Sequence, residues 1–165
     1  MPGASSPVAE ARGPVLACRV AADGDELREH FAIRRAVFCS EQRMFGGLDD
    51  RDARDADAAT LHAVGFERGV AGGTVRLYPL SEDGRLWQGD RLAVLPASRH
   101  GSLGGSLVRF AVRTAGERGG ERMVAMIQLP NVRFFVGLGW ALDGDVVDFH
   151  GRAHQPMAIA LSADG

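Results

Sequence analysis

The sequence predicts a mixed α/β domain, a mostly antiparallel sheet of about seven strands with helices on both faces. Short apolar runs on either side of tight turns predict antiparallel hairpins, and a strand–helix–strand unit occupies the middle of the chain. With 165 residues, 45% of them hydrophobic, the chain has room for one ordinary core. We therefore expect a single domain over residues 14–162. Residues 1–13 are small, polar and proline-bearing, which predicts a flexible tail.

The first half of the chain predicts a strand, a helix and a hairpin. Asp23 is a typical helix start, and an apolar stripe follows it at helical spacing. A polar loop and an acidic stretch, residues 49–57, separate this helix from two strand-like runs around a short turn. The predicted elements are a strand at residues 15–20, a helix from residue 23 to 38, and hairpin strands at 60–66 and 70–78.

The second half alternates between strands and helices. Pro96 stops one strand, Gly119 and Gly120 end a long helix, and Pro130 starts a short one. The predicted elements are extended pieces at residues 86–88 and 91–95, a helix at 103–115, a strand at 123–128, a short helix at 130–138, and strands at 140–149 and 155–161.

A glycine-rich turn, Arg99-His-Gly-Ser-Leu-Gly-Gly105, joins one of these strands to the long helix. Such a turn aims several free backbone N–H groups and the positive end of a helix at one point. An anionic group, most simply a phosphate, suits that point. The turn follows a late strand, and its spacing differs from G-x-G-x-x-G, which disfavours a dinucleotide-binding fold.

Composition excludes several function classes. All 19 basic residues are arginine, so there is no P-loop lysine, pyridoxal-phosphate Schiff base or lysine nucleophile. A net charge of −2 argues against a nucleic-acid partner, and no apolar run is long enough to span a membrane. Two cysteines form no disulfide framework or metal set, and the N-terminus lacks a signal peptide pattern. We expect a reduced, cytoplasmic protein.

Three segments carry a family resemblance. Arg99-His-Gly-Ser-Leu-Gly104 is similar to R/Q-x-x-G-x-G/A of the GNAT acyltransferase superfamily, with Ser102 where the first glycine usually stands. Asn131-Val-Arg-Phe-Phe-Val-Gly-Leu-Gly-Trp140 resembles the late GNAT segment "FYEKLGF". Residues 31–42, His62 and residues 151–157 resemble the "VFxxEQ", "DxxD…H" and "GxPHxxM" motifs of nitrogen-starvation-associated GNATs encoded near nitrilase-type gene clusters.

The resemblance implies a GNAT fold that binds acyl-coenzyme A, most simply acetyl-coenzyme A as cosubstrate. Backbone N–H groups of the turn would hold the pyrophosphate, and those of the preceding strand would stabilise the oxyanion. Without a metal, the expected acceptor is a small-molecule amine. The predicted cofactor-binding residues are Leu92, Ala93, Val94, Arg99, His100, Gly101, Ser102, Leu103, Gly104, Gly105, Asn131 and Phe134.

Two residues are candidates for the base that deprotonates the amine. Glu41 lies in the loop expected to cover the acceptor side, and a surface or helix-end glutamate is its alternative interpretation. His154 follows the last turn, with a structural histidine as the alternative. No cysteine is placed as a convincing acyl carrier, so we expect direct attack in a ternary complex.

The predicted substrate-binding residues form an anionic rim for a cationic amine, with a solvated acidic loop as the leading alternative. The acidic stretch lacks the glycine and closing glutamate of an EF-hand, so no metal is predicted. His62 is equally typical of a satisfied core histidine. The predicted substrate-binding residues are Asp50, Asp52, Asp55, His62 and Arg76.

One departure from the family pattern concerns the general acid. Many GNATs protonate the leaving thiolate with a tyrosine, and Phe135 stands at the matching position. The only tyrosine, Tyr78, lies at the end of a hairpin strand. The departure favours a non-catalytic coenzyme A sensor as one alternative.

A second alternative is an acyl-homoserine-lactone synthase, which shares the GNAT fold and takes acyl groups from acyl carrier protein. Arg34, Phe38, the spaced aspartates and Arg76 resemble that group. An exposed late strand offers an edge at which two subunits can pair, so the sequence is compatible with a homodimer.

Overall fold

The computed structural model describes residues 15–164, and the predicted tail, residues 1–13, lies outside this part of the chain. Eight strands form one sheet in the order β1-β2-β3-β4-β5-β8-β6, and β7 also pairs with β8. Every pair is antiparallel except β4 with β5, which confirms the predicted mixed, mostly antiparallel fold. The strands are β1 (Leu16–Val20), β2 (Leu61–Glu67), β3 (Val70–Pro79), β4 (Leu86–Val94), β5 (Arg122–Gln128), β6 (Ala141–Leu142), β7 (Val147–Phe149) and β8 (Arg152–Ala160).

Three α-helices in the described part of the chain accompany the sheet. The side chain of Asp23 accepts a hydrogen bond from the Glu26 N–H at 2.9 Å, which caps α1 where the sequence predicts its start. A π-helix, Arg35–Glu41, continues α1 without a break and ends with a hydrogen bond from the Gln42 N–H to the Val37 carbonyl. The α-helices are α1 (Gly24–Arg34), α2 (Leu103–Glu117) and α3 (Val132–Gly137).

The two long helices cover opposite faces of the sheet. On one face, α2 packs so closely that a Cβ on Gly65 would lie 2.9 Å from Leu103 and a Cβ on Gly73 would lie 2.7 Å from Leu107. On the other face, α1 and the π-helix bury a smaller cluster around Val37. Glycine in the middle of β2 and β3 is therefore explained by helix contact, despite its weak strand preference.

Strand β4 differs from the sequence prediction. Two separate pieces were expected at residues 86–88 and 91–95, but one strand spans them. The reason is a bulge: Thr74 pairs with Ala93 while Arg76 pairs with Asp90, and Arg91 between them has a φ of 53°. The Thr74 hydroxyl donates to the Arg91 carbonyl at 2.9 Å and holds the bulge.

The end of the chain also differs. A single strand was predicted over residues 140–149, but Gly144, with a φ of 121°, interrupts it between β6 and β7. β8 begins at Arg152, three residues before its predicted start at residue 155. His150 and Gly151 both have positive φ, so they form the tight turn from β7 to β8.

The gap between β4 and β5 places the candidate site. These strands pair only where Leu86, Trp87 and Gln88 face Arg122, Met123 and Val124. Beyond that point they diverge, and the polar backbone groups of both strands that face the gap have no partner strand. The sheet therefore opens like a V, with β3 and β8 closing its outer sides.

Candidate active site

A wide groove of about 730 Å³ lies at the open end of the V, beside the glycine-rich turn. We call it the anion groove. It is lined by ten of the twelve predicted cofactor-binding residues and by the candidate base Glu41. The ten are Leu92, Ala93, Val94, Arg99, Gly101, Ser102, Gly104, Gly105, Asn131 and Phe134.

The N-terminus of α2 opens into this groove without a cap. The side chain of Ser102, the N-cap residue, makes no capping hydrogen bond, and no acidic residue lies in the first turn. The first N–H groups of the helix therefore keep their hydrogen-bonding capacity and their partial positive charge. A helix end with these properties is suited to binding an anion.

Arg99 lies at the entrance of the groove and forms an ion pair with Glu41. Its Nη1 donates to Oε2 of Glu41 at 2.5 Å, while its Nε donates to the Val94 carbonyl at 2.9 Å. The guanidinium group holds the pKa of Glu41 below its ordinary value. In this arrangement Glu41 is a weaker base than a free glutamate.

A second, smaller cavity of about 160 Å³ runs from the π-helix side through the V towards α2 and α3. We call it the inner cavity. Most of its walls are apolar and buried, including Val108 and Ala111 of α2, Met123 of β5, Phe135 and Trp140. It shares Gln42, Leu92, Gln128 and Asn131 with the anion groove, so the two spaces meet between β4 and β5.

His154 of β8 lies in the wall of the inner cavity and is only 4% exposed. Its Nδ1 lies 2.8 Å from the Arg152 carbonyl. Because a carbonyl oxygen only accepts, Nδ1 carries a proton, and in that neutral tautomer Nε2 has a lone pair. Among residues 15–164 no side chain or backbone group donates to Nε2. The ring is thus fixed in a tautomer that can accept a proton.

The predicted oxyanion donors lie where the two cavities meet. Leu92 lines both cavities, and Ala93 and Val94 line the anion groove. Beyond Gln88 no strand of residues 15–164 pairs with the β5 side of β4, so its backbone groups facing the gap can bind a ligand. Backbone N–H groups held in a rigid strand suit the stabilisation of a developing oxyanion.

Two of the predicted substrate-binding aspartates are buried in an ion-pair network with arginines. Nε of Arg34 donates to Asp50 at 2.7 Å, and its Nη1 donates to Asp55 at 2.7 Å. Asp50 also accepts from Nε of Arg91 at 3.0 Å, which ties the acidic stretch to the bulge of β4. The solvated acidic loop that was the leading alternative is therefore wrong for Asp50, which is 1% exposed, and for the side chain of Asp55, which is 8% exposed.

Arg76 completes the network from β3. Its guanidinium group donates to Asp90 at 2.7 Å and to Asp52 at 2.6 Å, and Asp55 lies 3.1 Å from Nη1. His62 contributes through Nε2, 3.0 Å from Oδ1 of Asp55. Burial alone would raise the pKa of Asp55, but hydrogen bonds from His62 and Arg34 lower it below its ordinary range.

None of the five predicted substrate-binding residues lines either cavity. In this structure Asp50, Asp52, Asp55, His62 and Arg76 bind one another or neighbouring residues. The network also includes Asp90, which lines the inner cavity. A direct role of the five in acceptor binding stays a prediction.

Two predicted cofactor-binding residues lie outside the groove. His100 is exposed in the turn, and the side chain of Leu103 is fully buried against the sheet. In their place the structure adds Arg109, which lines the groove one helical turn after Gly105, with its guanidinium group 3.4 Å from where a Cβ on Gly105 would be. The i, i+4 spacing from the glycine turn is the sequence signal for this second cation.

Two glutamines at the junction of the cavities were also missed. Nε2 of Gln128 donates to Oε1 of Gln42 at 2.9 Å, which joins the end of β5 to the residue after the π-helix. Gln42 lies in the "VFxxEQ" segment, which gave no reason to place it beside β5. Their contact crosses the point where the groove meets the inner cavity.

Three further observations concern residue chemistry in the described part of the chain. Cys39 is buried outside both cavities, and burial raises the pKa of its thiol, which disfavours the reactive thiolate. Within residues 15–164 no group of three or more His, Cys, Asp or Glu side chains is placed to hold a metal ion. Nor does any helix in that range have the length and apolar character needed to cross a bilayer.

Several solved structures share this fold. ElaA from Escherichia coli has a TM-score of 0.74 and 20% identity, covering 87% of this chain and 97% of its own. An acyl-CoA N-acyltransferase from Pseudomonas aeruginosa has a TM-score of 0.72 and 22% identity, covering 90% and 99%. BjaI, a CoA-dependent acyl-homoserine lactone synthase solved with SAM and isopentyl-CoA, has a TM-score of 0.74 and 18% identity, covering 92% and 85%. At these identities the likeness shows the fold.

The splayed sheet and the uncapped helix above it define an α/β protein of the acyl-CoA acyltransferase fold class. The family model described as "Acetyltransferase (GNAT) family" matches residues 26–140, which include the glycine-rich turn and the late motif. The chain therefore belongs to the GNAT acetyltransferase family. A search of curated protein sequences gave no match.

Proposed function

We propose that this chain is an acyl-CoA-dependent N-acyltransferase that acylates a small amine by direct attack in a ternary complex. The observation that carries the proposal is the junction between β4 and β5. There an anion groove with an uncapped helix end meets an apolar cavity that contains a histidine with a free ring nitrogen. This junction supports the proposal because acyl transfer requires a held donor, an oxyanion site and a base close together.

The donor would bind with its pyrophosphate at the N-terminus of α2. Arg99 and Arg109 supply two cations at the rim, and the first N–H groups of the helix supply donors. Pyrophosphate binding competes with Glu41 for Arg99, which would release the Glu41 carboxylate. The thioester would then lie beside Leu92, where the groove joins the inner cavity.

The reaction needs no covalent enzyme intermediate. The amine nitrogen attacks the thioester carbon, backbone N–H groups of β4 bind the oxyanion, and collapse breaks the C–S bond to give an amide and the coenzyme A thiolate. His154 Nε2 takes the proton that the amine loses. Cys39 takes no part, so a Cys39→Ala variant keeps its activity, and an inactive one would contradict direct attack.

The departing thiolate has no tyrosine beside it. Phe135 packs against Trp140 with ring centroids 5.4 Å apart and has no proton to give. The Tyr78 hydroxyl donates to Asp90 at 3.2 Å, and burial raises the pKa of Tyr78 to about 12. We propose that coenzyme A leaves as the thiolate or is protonated by water, since such a thiol has a pKa of about 8.5.

The test is release of free coenzyme A thiol from an acyl-CoA in the presence of a panel of small amines. A His154→Gln variant should lose about 10²- to 10⁴-fold in kcat. Its affinity for coenzyme A should stay unchanged, because His154 does not line the anion groove. Glu41→Gln is the matched comparison: a larger loss there than at His154 would assign the base to Glu41 instead. No thiol release with any amine would contradict the enzyme proposal.

A second candidate is an acyl-homoserine lactone synthase. BjaI is a CoA-dependent synthase of this kind, and it was solved with SAM and isopentyl-CoA. The shared fold and the apolar inner cavity favour it. Incubations should compare SAM with simple amines as acceptors, and acyl-CoA with acylated carrier protein as donors. These comparisons separate the synthase from the N-acyltransferase. Acyl transfer to SAM alone would select the synthase.

A third candidate is a coenzyme A-binding sensor without activity, favoured by Phe135 at the position of the usual tyrosine. Tight binding of acetyl-CoA without turnover on a broad amine panel would select it.

Membership of the nitrogen-starvation-associated branch rests on the motifs at residues 31–42 and 151–157, and neighbouring genes of the nitrilase type would support it.

We propose a cytoplasmic location and a homodimeric assembly, each on a separate observation. Two cysteines without a disulfide are consistent with a reducing cytoplasm. An exposed Leu142 on β6 and Val147 on β7 offer a surface for a homodimer. Fractionation and light scattering, respectively, test these two proposals.

A further inference from the structure

We propose that the inner cavity binds the hydrocarbon part of an acyl group longer than acetyl, with about four to eight carbon atoms. The proposal rests on the proposed function and names its donor class as medium-chain acyl-CoA. The supporting observations are the volume of the cavity, the chemistry of its walls and its position relative to the thioester.

The volume exceeds what an acetyl group requires. The cavity measures about 160 Å³. An apolar cavity of roughly 150 Å³ is large enough to hold a benzene molecule, which has six carbon atoms. An acetyl methyl group would leave most of the space empty, and empty apolar space forfeits dispersion contacts. A chain of about four to eight carbons fills it.

The walls deep in the cavity are apolar. Val108 and Ala111 of α2 form one side, Met123 and Ala125 of β5 form another, and Trp140 lies beside Phe135. All are buried, with Met123 at 1% and Ala111 at 2% exposed. Such walls match a hydrocarbon chain and cannot replace the hydration of a charged or hydroxylated acceptor.

Polar residues also line the cavity, among them Gln88, Asp90 and Arg91 of β4, while the residues that α2 contributes are apolar. Gln42 and Gln128 stand at the junction with the anion groove, and His154 is hydrogen bonded to its own strand. An acyl group whose carbonyl carbon lies beside Leu92 can therefore direct its chain inward between β4 and β5. The attacking amine would approach from the π-helix side, past Gln42 and Phe45.

The strand geometry explains why space exists here. A Cβ on Gly89 of β4 would lie 3.2 Å from Sδ of Met123, so Met123 packs closely against β4 and bounds the cavity there. Ala111 is a small residue that lines the cavity from α2. Its methyl group leaves space that a larger side chain would fill, and closed packing is the norm in protein interiors.

The first experiment measures binding without an acceptor. Calorimetry gives the dissociation constant of the full-length protein for coenzyme A and for acetyl-, butyryl-, hexanoyl-, octanoyl- and dodecanoyl-CoA. We expect up to about fourfold tighter binding per added methylene until the cavity is full, then no further gain. Hexanoyl-CoA should bind at least about tenfold more tightly than acetyl-CoA. Equal affinity for acetyl- and hexanoyl-CoA would overturn the inference.

The second experiment fills the cavity. Ala111→Leu should reduce the ratio of the acetyl-CoA to hexanoyl-CoA dissociation constants by about tenfold or more, since the added side chain occupies the space of about three methylenes. Ala125→Val narrows the same cavity from β5 and serves if Ala111→Leu does not fold. Ala141→Leu is the control, because Ala141 is exposed on β6 and lines neither cavity. An unchanged ratio in folded Ala111→Leu or Ala125→Val would overturn the inference.

Failure of this inference differs from failure of the proposed function. Binding of every acyl-CoA with the same affinity, or preference for acetyl-CoA, rejects only the chain-length inference. Absence of binding by coenzyme A and all of its thioesters rejects the donor itself. Tight hexanoyl-CoA binding without transfer to any amine leaves the cavity assignment supported and selects the sensor.

Discussion

At the scale of single residues, His30 shows how burial fixes a protonation state. The ring is fully buried in α1, Nδ1 lies 2.9 Å from the Ala63 carbonyl, and Nε2 lies 3.2 Å from Nη1 of Arg34. The carbonyl must accept and the guanidinium must donate, so the ring is neutral, with its proton on Nδ1. Burial lowers the pKa of His30 from 6.5 to about 3.

The pH dependence of stability follows from this shift. Between about 3 and 6.5 the unfolded chain binds a proton at His30 and the folded chain does not, so the free energy of unfolding falls as the pH falls below 6.5. The contribution of His30 has a slope of at most about 1.4 kcal/mol per pH unit. Urea denaturation between pH 5 and 7, where the carboxylates stay ionised, should show this slope.

A His30→Asn variant isolates the effect. The Asn amide can donate to the Ala63 carbonyl but does not titrate, so the variant should be less stable overall and show a flatter pH dependence in that range. A variant with the same slope as the original protein would assign the pH dependence to another group.

Contacts of single residues also explain why the sequence did not predict part of the site. The tautomer of His154 depends on the Arg152 carbonyl, and Arg109 matters because its guanidinium group folds over Gly105. The tautomer of His154 depends on coordinates that residue spacing does not supply, whereas the i, i+4 spacing of Arg109 from Gly105 was a signal that the prediction did not use. Leu103 shows the opposite error: it lies within the predicted phosphate loop, but its side chain faces the core.

At the scale of elements, the buried ion pairs hold the acidic stretch against the sheet. Arg34 from α1, Arg76 from β3 and Arg91 from β4 all bind aspartates of residues 50–55. Removing one partner of a buried pair leaves an uncompensated charge, which typically costs about 3–5 kcal/mol. The network therefore acts as a structural link between α1 and the sheet.

Asp55→Asn tests this link. Asp55 pairs with Arg34 and Arg76, so its neutral isostere should lower the free energy of unfolding by about 3 kcal/mol or more, as measured by urea denaturation. Asp57→Asn, an exposed position in the same stretch, should change it by less than about 0.5 kcal/mol. An unchanged stability with a raised KM for the amine would support Asp55 as a substrate-binding residue.

A charge added at the uncapped N-terminus of α2 should change stability and coenzyme A binding in opposite directions. Ser102→Asp places a negative charge at the positive helix end, which should stabilise the fold by about 0.3–1 kcal/mol. The same charge should repel the pyrophosphate and weaken coenzyme A binding. Ser102→Asn, similar in size and uncharged, is the control, with thermal unfolding and calorimetry as the two measurements. Tighter binding by Ser102→Asp would place the phosphates elsewhere.

Local patterns predicted the elements better than their junctions. The helix from Leu103 and the hairpin around Glu67-Arg-Gly69 were predicted to within a few residues, because their signals are spacing and turn chemistry in one segment. The bulge at Arg91 was not predicted, because it depends on Thr74 and Asp50 from other segments. The gap between β4 and β5 depends on the whole sheet, so periodicity within one segment did not predict it.

At the scale of the whole molecule, the V divides the sheet into two halves. Strands β1–β4 form one half and β5–β8 the other, and only three residue pairs of β4 and β5 join them directly. An acyl-CoA bound in the groove would contact β4 and α2 on one side and β5 and α3 on the other. The ligand would therefore couple two halves that share few backbone hydrogen bonds.

Binding to the folded chain alone predicts a stabilisation by the ligand. At a concentration of about 100 times its dissociation constant, an acyl-CoA should add about 2.7 kcal/mol. For a chain of this size the melting temperature should rise by about 5 to 10 °C. Hydrogen exchange should slow most at the gap-facing amides of residues 89–94 and 125–128, which have no strand partner there without the ligand.

Nicotinamide dinucleotides are the discriminating control for the same measurement. They carry a pyrophosphate but lack the pantetheine arm that would lie in the V, so they should shift the melting temperature little and leave exchange at residues 125–128 unchanged. An Arg99→Gln variant should show a smaller acyl-CoA shift, because the groove loses a cation. A shift with dinucleotides and none with acyl-CoA would contradict the donor, and with it the proposal that the V is the site of acyl transfer.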